Sequence, residues 1–199
     1  MRMKKIVVGP IAVNCYLVKK DNKLYVIDPG GDADQIISQI KKENMALDAI
    51  LLTHGHIDHI SAVKEVSEAF GNTPVYLHKD DYDLYLSASN SMKPLFPPIV
   101  NPVIPVSEIE TKDFEIIHTP GHSCGSVCFY FKADEILISG DTLFCESIGR
   151  TDLPGGDHNK IIKSIKNKLL VLPENTKVYP GHGSSSSIKN EKKYNPFLK

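Results

Sequence analysis

The sequence predicts an α/β fold in which helices lie outside two stacked sheets of mixed strand direction. Three observations predict it. Apolar runs of strand length arrive in groups, and stretches with helical apolar spacing stand between those groups. The 199 residues can also bury a core without crosslinks, and no stretch resembles a linker, so 1–199 is expected to form one domain.

Strand patterns come first, over Lys4 to Val8, Asn14 to Val18 and Leu24 to Asp28. The last is closed by Asp28-Pro29-Gly30-Gly31, a turn sequence. Asp32 is placed to cap a helix from Ala33 to about Lys42, with Ile36, Ile37 and Ile40 on its inner side. A strand follows at 49–53. After His59, Ala62, Val63, Val66, Ala69 and Phe70 recur at helical spacing, and Pro74 to Leu77 reads as another strand. From Ser87 to Pro105, prolines and serines break all periodicity, which predicts a long loop of the kind that is often functional. In the second half, strands are expected at 114–118, 126–131, 135–139 and 177–179. One helix is expected from about His158 to Leu170, its apolar face made by Ile161, Ile162, Ile165, Leu169 and Leu170.

The densest chemistry is Thr53-His54-Gly55-His56-Ile57-Asp58-His59, directly after the apolar run 49–52. Side chains two apart share a face in extended chain, so His54 and His56 can converge on one ion if the strand continues through Thr53 and His54. Asp58 and His59, carried round the following bend, would aim at a second point, so the pattern predicts two adjacent ions. A plain strand-to-helix corner with Asp58 as helix N-cap is the competing reading. It must account for three histidines and an aspartate together, all of them common ligands of zinc or iron.

Two ions need more ligands, and they recur at other strand exits. Phe114 to His118 leads into Thr119-Pro120-Gly121-His122, Glu135 to Ser139 into Gly140-Asp141, and Lys177 to Tyr179 into Pro180-Gly181-His182-Gly183. Glycine stands beside each candidate ligand, where close backbone approach is useful. His78, His118 and His158 lack that glycine and are expected to be supporting, surface or loop residues.

The formal net charge of −1 gives no bulk attraction to nucleic acid or an anionic membrane. The apolar run after Lys5 is soon broken by Gly9-Pro10, and no stretch reaches membrane-span length, so a cytoplasmic protein is expected. The four cysteines, Cys15, Cys124, Cys128 and Cys145, form no CxxC pair and are expected to be reduced and buried as small apolar residues.

Residues 53–59, Gly121-His122, Ser139-Gly140-Asp141-Thr142-Leu143-Phe144 and Pro180-Gly181-His182-Gly183 together resemble the metallo-β-lactamase superfamily, in the same order and across most of the chain. The resemblance implies a four-layer αββα sandwich with a metal site at one edge of the paired sheets. It implies a first metal held by His54, His56 and His122, a second by Asp58, His59 and His182, and Asp141 as the bridge. Gly149 to Asp157 and Asn195-Pro196-Phe197-Leu198 resemble the hydroxyacylglutathione hydrolase (glyoxalase II) branch. Asp141 stands where true metallo-β-lactamases carry a different ligand, which argues against lactam hydrolysis.

What the resemblance implies is hydrolysis of a small thioester, S-lactoylglutathione or a relative, by a metal-bound bridging hydroxide with Asp58 and Asp141 as catalytic ligands. Two divalent ions, two carboxylates and one hydroxide leave about one positive charge, which favours an oxyanion. Zinc is the first expectation for the metal, with iron or manganese as alternatives. Full-length glyoxalase II enzymes append a helical region with basic contacts to glutathione. This sequence stops at Lys199, so Arg150 and Lys199 are candidate substrate contacts in its place. One rival is a persulfide dioxygenase with a single iron on His54, His122 and Asp141. Another is a metal-binding module without catalysis.

Overall fold

The first three strands are β1 (Arg2–Val8), β2 (Val13–Lys20) and β3 (Lys23–Ile27) in the computed structural model, which describes residues 1–199. They form an antiparallel meander. Leu24 to Ile27 are buried on both faces, as a central strand requires, whereas β1 carries Arg2, Lys4 and Lys5 on the sheet edge. Helix α1 (Ala33–Lys41) then crosses over to β4 (Ala49–Leu51), parallel to β3. Its Ile36 and Ile40 are fully buried, each worth roughly 1.5–3 kcal/mol of apolar transfer. Asp32 does not cap it through its side chain. The carboxylate instead accepts from the Gly9 amide at 2.9 Å, and the Asp32 carbonyl takes the first helical amides.

Beyond β4 the helical stretch divides into α2 (Ile57–Ile60) and α3 (Val63–Ala69), which lead to β5 (Val75–Tyr76), parallel to β4. A 3₁₀ turn at Lys79–Asp81 and α4 (Tyr82–Leu86) follow, where no helix was expected. The long loop holds no helix or strand over 87–105, and Val106 adds a parallel bridge beside Tyr76. Residues 1–109 are one compact unit built on the sheet β1-β2-β3-β4-β5, with Ile36, Ile40, Val63 and Val66 packed among Val8, Leu17, Leu24 and Val26.

The second unit, residues 110–199, repeats this logic. Strands β6 (Glu115–His118), β7 (Val127–Phe131) and β8 (Ile136–Gly140) are antiparallel neighbours. A small hairpin of β9 (Leu143–Phe144) and β10 (Ser147–Ile148) follows, too short to register as periodicity. Helix α5 (His158–Ser164) runs on as a π-helical turn, Ile165–Leu169, and is capped by the Asp157 carboxylate on the Lys160 amide at 3.0 Å. Then β11 (Lys177–Pro180) pairs parallel to β8, and β12 (Ser186–Ser187) antiparallel to β11. Helix α6 (Ile188–Tyr194) and a final 3₁₀ turn at Pro196–Leu198 had no sequence signal, because Ile188 is the one large apolar residue that α6 buries. Ile161, Ile165, Leu169 and Ile188 pack with Cys128, Leu137 and Val178 on one face of the sheet β12-β11-β8-β7-β6. No helix is long and apolar enough to cross a membrane.

Candidate metal centre

Most candidate ligands follow the carboxyl ends of the parallel pairs β3–β4 and β8–β11, where α/β sheets characteristically bind ligands, whereas His122 follows the antiparallel edge strand β6. In residues 1–109, Asp28 directly follows β3, and Thr53 and His54 follow β4. The expected extension of β4 through His54 does not occur, since the strand closes at Leu51, and strand alternation is not what gathers the histidines. Side chains hold the loop instead. The Asp28 carboxylate accepts from the Thr53 amide at 2.8 Å, Asp81 accepts from the Gly55 amide at 2.9 Å, and the Asn90 amide donates to the Gly55 carbonyl at 2.8 Å. Alanine at 55 would set its Cβ 3.2 Å from the Asp81 carbonyl, so glycine is favoured there by space.

The loop brings the His54 ring to 4.9 Å from that of His56 and 4.2 Å from that of His59, centre to centre. Asp58 is not a helix cap. It sits in the first turn of α2, whose N-cap position is His56, with its Oδ2 3.5 Å from His59 Nε2. Gly30 presses against its main chain so closely that a Cβ there would lie 1.7 Å from the Asp58 carbonyl oxygen.

Asp28, read in sequence only as a turn residue, determines which ring nitrogens face outward. It is 1% exposed. Its Oδ2 takes the Thr53 hydroxyl at 2.7 Å and His59 Nδ1 at 3.0 Å. A carboxylate only accepts, so His59 carries its proton on Nδ1 and leaves Nε2 as a lone pair. The Thr53 hydroxyl has given its proton to Asp28 and therefore accepts from His54 Nδ1 at 3.0 Å, which leaves His54 Nε2 a lone pair as well. Asp28, His54 and His59 have potential ligand atoms within 4.8 Å of one another. Both oxygens of Asp28 receive donors, and through Oδ2 the carboxylate orients the His59 ring directly and the His54 ring by way of Thr53.

In residues 110–199, His122, Asp141 and His182 come together. Asp141 Oδ2 stands 3.7 Å from His122 Nε2 and 3.7 Å from His182 Nε2. His122 Nδ1 donates to the Arg150 carbonyl at 2.8 Å, again directing Nε2 outward. Gly149 lies on the Asp141 main chain, where a Cβ would be 1.8 Å from the carbonyl oxygen. The Gly181 amide donates to the Gly140 carbonyl at 2.9 Å, tying the two ligand-bearing strand exits together. The Phe144 ring meets His182 edge-on at 6.4 Å.

These spacings fit a metal. Two ligand atoms each about 2.0–2.2 Å from one zinc ion stand about 3.3–3.6 Å apart across a tetrahedron. The gaps of 3.5 Å at Asp58–His59 and 3.7 Å at Asp141 lie near that edge and beyond direct hydrogen-bond length. Neutral imidazole and carboxylate, with outward Nε2 lone pairs at His54 and His59 in residues 1–109 and at His122 in residues 110–199, are donors suited to zinc or iron.

The other candidates are placed as follows. The Arg150 guanidinium forms a bidentate pair with Asp152, at 2.8 and 2.7 Å, on the surface. Pairing raises the Arg150 pKa, and the hydrogen bond from Arg150 holds Asp152 down to about 2. Lys199 is exposed. His118 Nε2 bonds the Cys124 carbonyl at 2.9 Å, His78 accepts from the Asp80 amide, and His158 is an exposed first residue of α5. The cysteine expectation needs correction: Cys15 and Cys128 are buried, but Cys124 and Cys145 are exposed. Burial, helped by the Asp28 carboxylate, pushes the Cys15 thiol well up, and burial pushes Cys128 to about 11, so both remain thiols.

The chain belongs to the metallo-β-lactamase superfamily, whose family model matches residues 8–182. It is a metallo-hydrolase of that superfamily, and the superfamily binds divalent metals. A probable metallo-hydrolase, YqgX, from Bacillus subtilis is 40% identical, with 100% of this chain and 98% of that protein covered. The hydroxyacylglutathione hydrolase GloC from Haemophilus influenzae is 35% identical, again over 100% and 98%. Among solved structures, BLEG-1 B3 metallo-beta-lactamase matches with a TM-score of 0.89 at 40% identity, covering 100% of both chains. TTHA1623 in a di-iron-bound form matches at 0.87 and 38%, covering 98% of this chain and 100% of that one. The two mixed sheets and their helices have the metallo-β-lactamase fold of these structures.

Proposed function

We propose that residues 1–199 act as one catalytic domain that hydrolyses a small thioester of the S-lactoylglutathione type with two divalent ions. In this reading His54, His56 and His122 hold one ion, Asp58, His59 and His182 hold the other, and Asp141 bridges them. The observation that carries it is Asp141 Oδ2, 3.7 Å from each of two imidazole nitrogens, a separation that supports one carboxylate shared by two ions. The full-length similarity to GloC supports the thioester.

When bound, such a pair supplies a water-derived nucleophile at neutral pH and positive charge for the developing oxyanion. The protein's part is orientation. Asp28 and the Arg150 carbonyl fix the ring tautomers, Gly30 and Gly149 admit the main chains of Asp58 and Asp141 at close range, and Asp81 with Asn90 clamps Gly55. A thiolate is a good leaving group, so the reaction needs no strong general acid. Arg150 and Lys199 are proposed to meet an anionic substrate, Arg150 by exchanging its Asp152 partner for a substrate carboxylate. Zinc is the proposed metal, although the di-iron form of TTHA1623 gives iron comparable standing.

The similarity to BLEG-1 supports a second reading, hydrolysis of a β-lactam. Metal analysis on one preparation, with parallel assays of S-lactoylglutathione hydrolysis, β-lactam hydrolysis and persulfide-dependent oxygen uptake, tests these readings together. Two ions per chain with thioester turnover are expected, and Asp58→Ala should abolish it. Full activity in Asp58→Ala would refute the two-ion mechanism. One iron with oxygen consumption would replace it with a dioxygenase, and metal binding without turnover on any substrate would leave a binding module.

A further inference from the structure

The C-terminal helix carries a carboxylate that the proposed chemistry does not use. Glu191 is fully buried on α6. Its Oε2 accepts from the Glu146 amide at 3.0 Å and from Asn195 Nδ2 at 2.8 Å, and its Oε1 from Asn190 Nδ2 at 3.1 Å and from the Ser186 hydroxyl. Each oxygen thus takes two donors, which fills the usual capacity of a carboxylate. Asn195, 1% exposed, also donates to the Ser147 carbonyl at 3.0 Å.

The donors come from segments that flank one metal ligand. Ser186 begins the strand by which the chain returns after the His182 loop, in register with Val178 on the strand that enters it. Glu146, at a left-handed φ of 55°, lies in the turn of the β9–β10 hairpin and Ser147 opens β10 opposite Phe144, whose ring stands edge-on to His182. One buried carboxylate therefore fixes the exit of the His182 loop and the root of the ring beside it.

We propose that Glu191, locked by Asn195, is a positioning residue for His182 and so governs retention of the ion that His182 serves. This rests on the two-ion reading above. Glutamine at 191 would turn an NH₂ group toward two donors, breaking hydrogen bonds on one side while keeping size and helix propensity.

The test starts from zinc-loaded full-length protein, dialysed against graded chelator, with retained zinc per chain as the readout. Wild type should release two ions in separable steps, and His182→Ala marks the step that belongs to His182. Glu191→Gln is expected to weaken that step about tenfold, in the range for groups that orient ligands, and to leave the other step unchanged. Should Glu191→Gln fail to fold, Ser186→Ala removes a single donor and is expected to weaken the same step by a smaller factor. Folded variants that release both ions as wild type does, or weaken both steps equally as a purely structural role would, overturn the inference while the two-ion reading stands. A wild type that holds only one ion overturns the reading itself, and the inference with it.

Discussion

Asp28→Asn isolates the tautomer control of His54 and His59, two of the proposed metal ligands. Asp28 has φ 52°, in the left-handed region that Asn tolerates well, so the backbone should accept the change. The amide oxygen must stay opposite the Thr53 amide, now 2.8 Å from Oδ1, which puts the NH₂ group where Oδ2 receives Thr53 Oγ1 and His59 Nδ1. His59 must then shift its proton to Nε2. The Thr53 hydroxyl, turned to accept from the new NH₂, can donate to His54 Nδ1 and drive the same shift there. Each ring would present a proton in place of a lone pair. Restoring the binding tautomer forfeits a hydrogen bond to a charged acceptor, about 1.5–3 kcal/mol, which agrees with a loss of about 10- to 100-fold in metal affinity. Chelator competition measures the affinity, and nitrogen-15 NMR of the metal-free protein reports the ring protons. Affinity within twofold of wild type, with both protons still on Nδ1, would refute the reasoning. Complete loss of one ion would show that Asp28 is itself a ligand.

Gly149→Ala should destabilise the chain by about 3 kcal/mol, the upper range for overpacking, and displace Asp141, because its Cβ would fall 1.8 Å from the Asp141 carbonyl. Urea denaturation that superimposes on wild type would contradict that close approach. With Cys124 and Cys145 exposed and Cys15 and Cys128 buried, a thiol reagent is expected to label two cysteines in the native chain and four after denaturation; a third fast-reacting thiol would show the burial to be wrong. Asp152, held down to about 2 by Arg150, has a folded pKa below its unfolded value, so whatever the pair contributes is present above about pH 4 and lost only as pH falls toward 2. The effect of Asp152→Asn on stability and on KM should therefore be the same from pH 5 to pH 9, and a change within that window would count against the pairing.

The candidate ligands were legible because their chemistry is local: histidine or aspartate beside glycine at a strand exit is visible without knowing what lies across the fold. The same locality misled at β4, where alternation through His54 predicted a shared strand face and the strand in fact stops at Leu51. What gathers the loop is remote in sequence. Asp28 looked like part of an Asp-Pro-Gly-Gly turn, Asn90 lay in a stretch without periodicity, and Asp81 in a 3₁₀ turn with no apolar pattern. The Thr53–Asp28, Gly55–Asp81 and Gly55–Asn90 hydrogen bonds span 25, 26 and 35 residues. Helix α6 escaped for the opposite reason, since it is held by a buried glutamate rather than by an apolar stripe.

Two kinds of acceptor set the histidine tautomers, and the difference has a functional consequence. His54 and His59 depend on the Asp28 side chain, so the residue type at 28 cannot be changed without changing the orientation of both rings. His122 depends on the main-chain carbonyl of Arg150. A carbonyl is present whatever side chain follows it, so position 150 can exchange its guanidinium for another group while His122 keeps its orientation. On the proposed reading, the segment after Gly149 can therefore alter how a substrate's charge is met without turning the His122 ring. Such decoupling is what a fold needs if similar sites are to serve relatives named as a hydroxyacylglutathione hydrolase and as a B3 metallo-beta-lactamase.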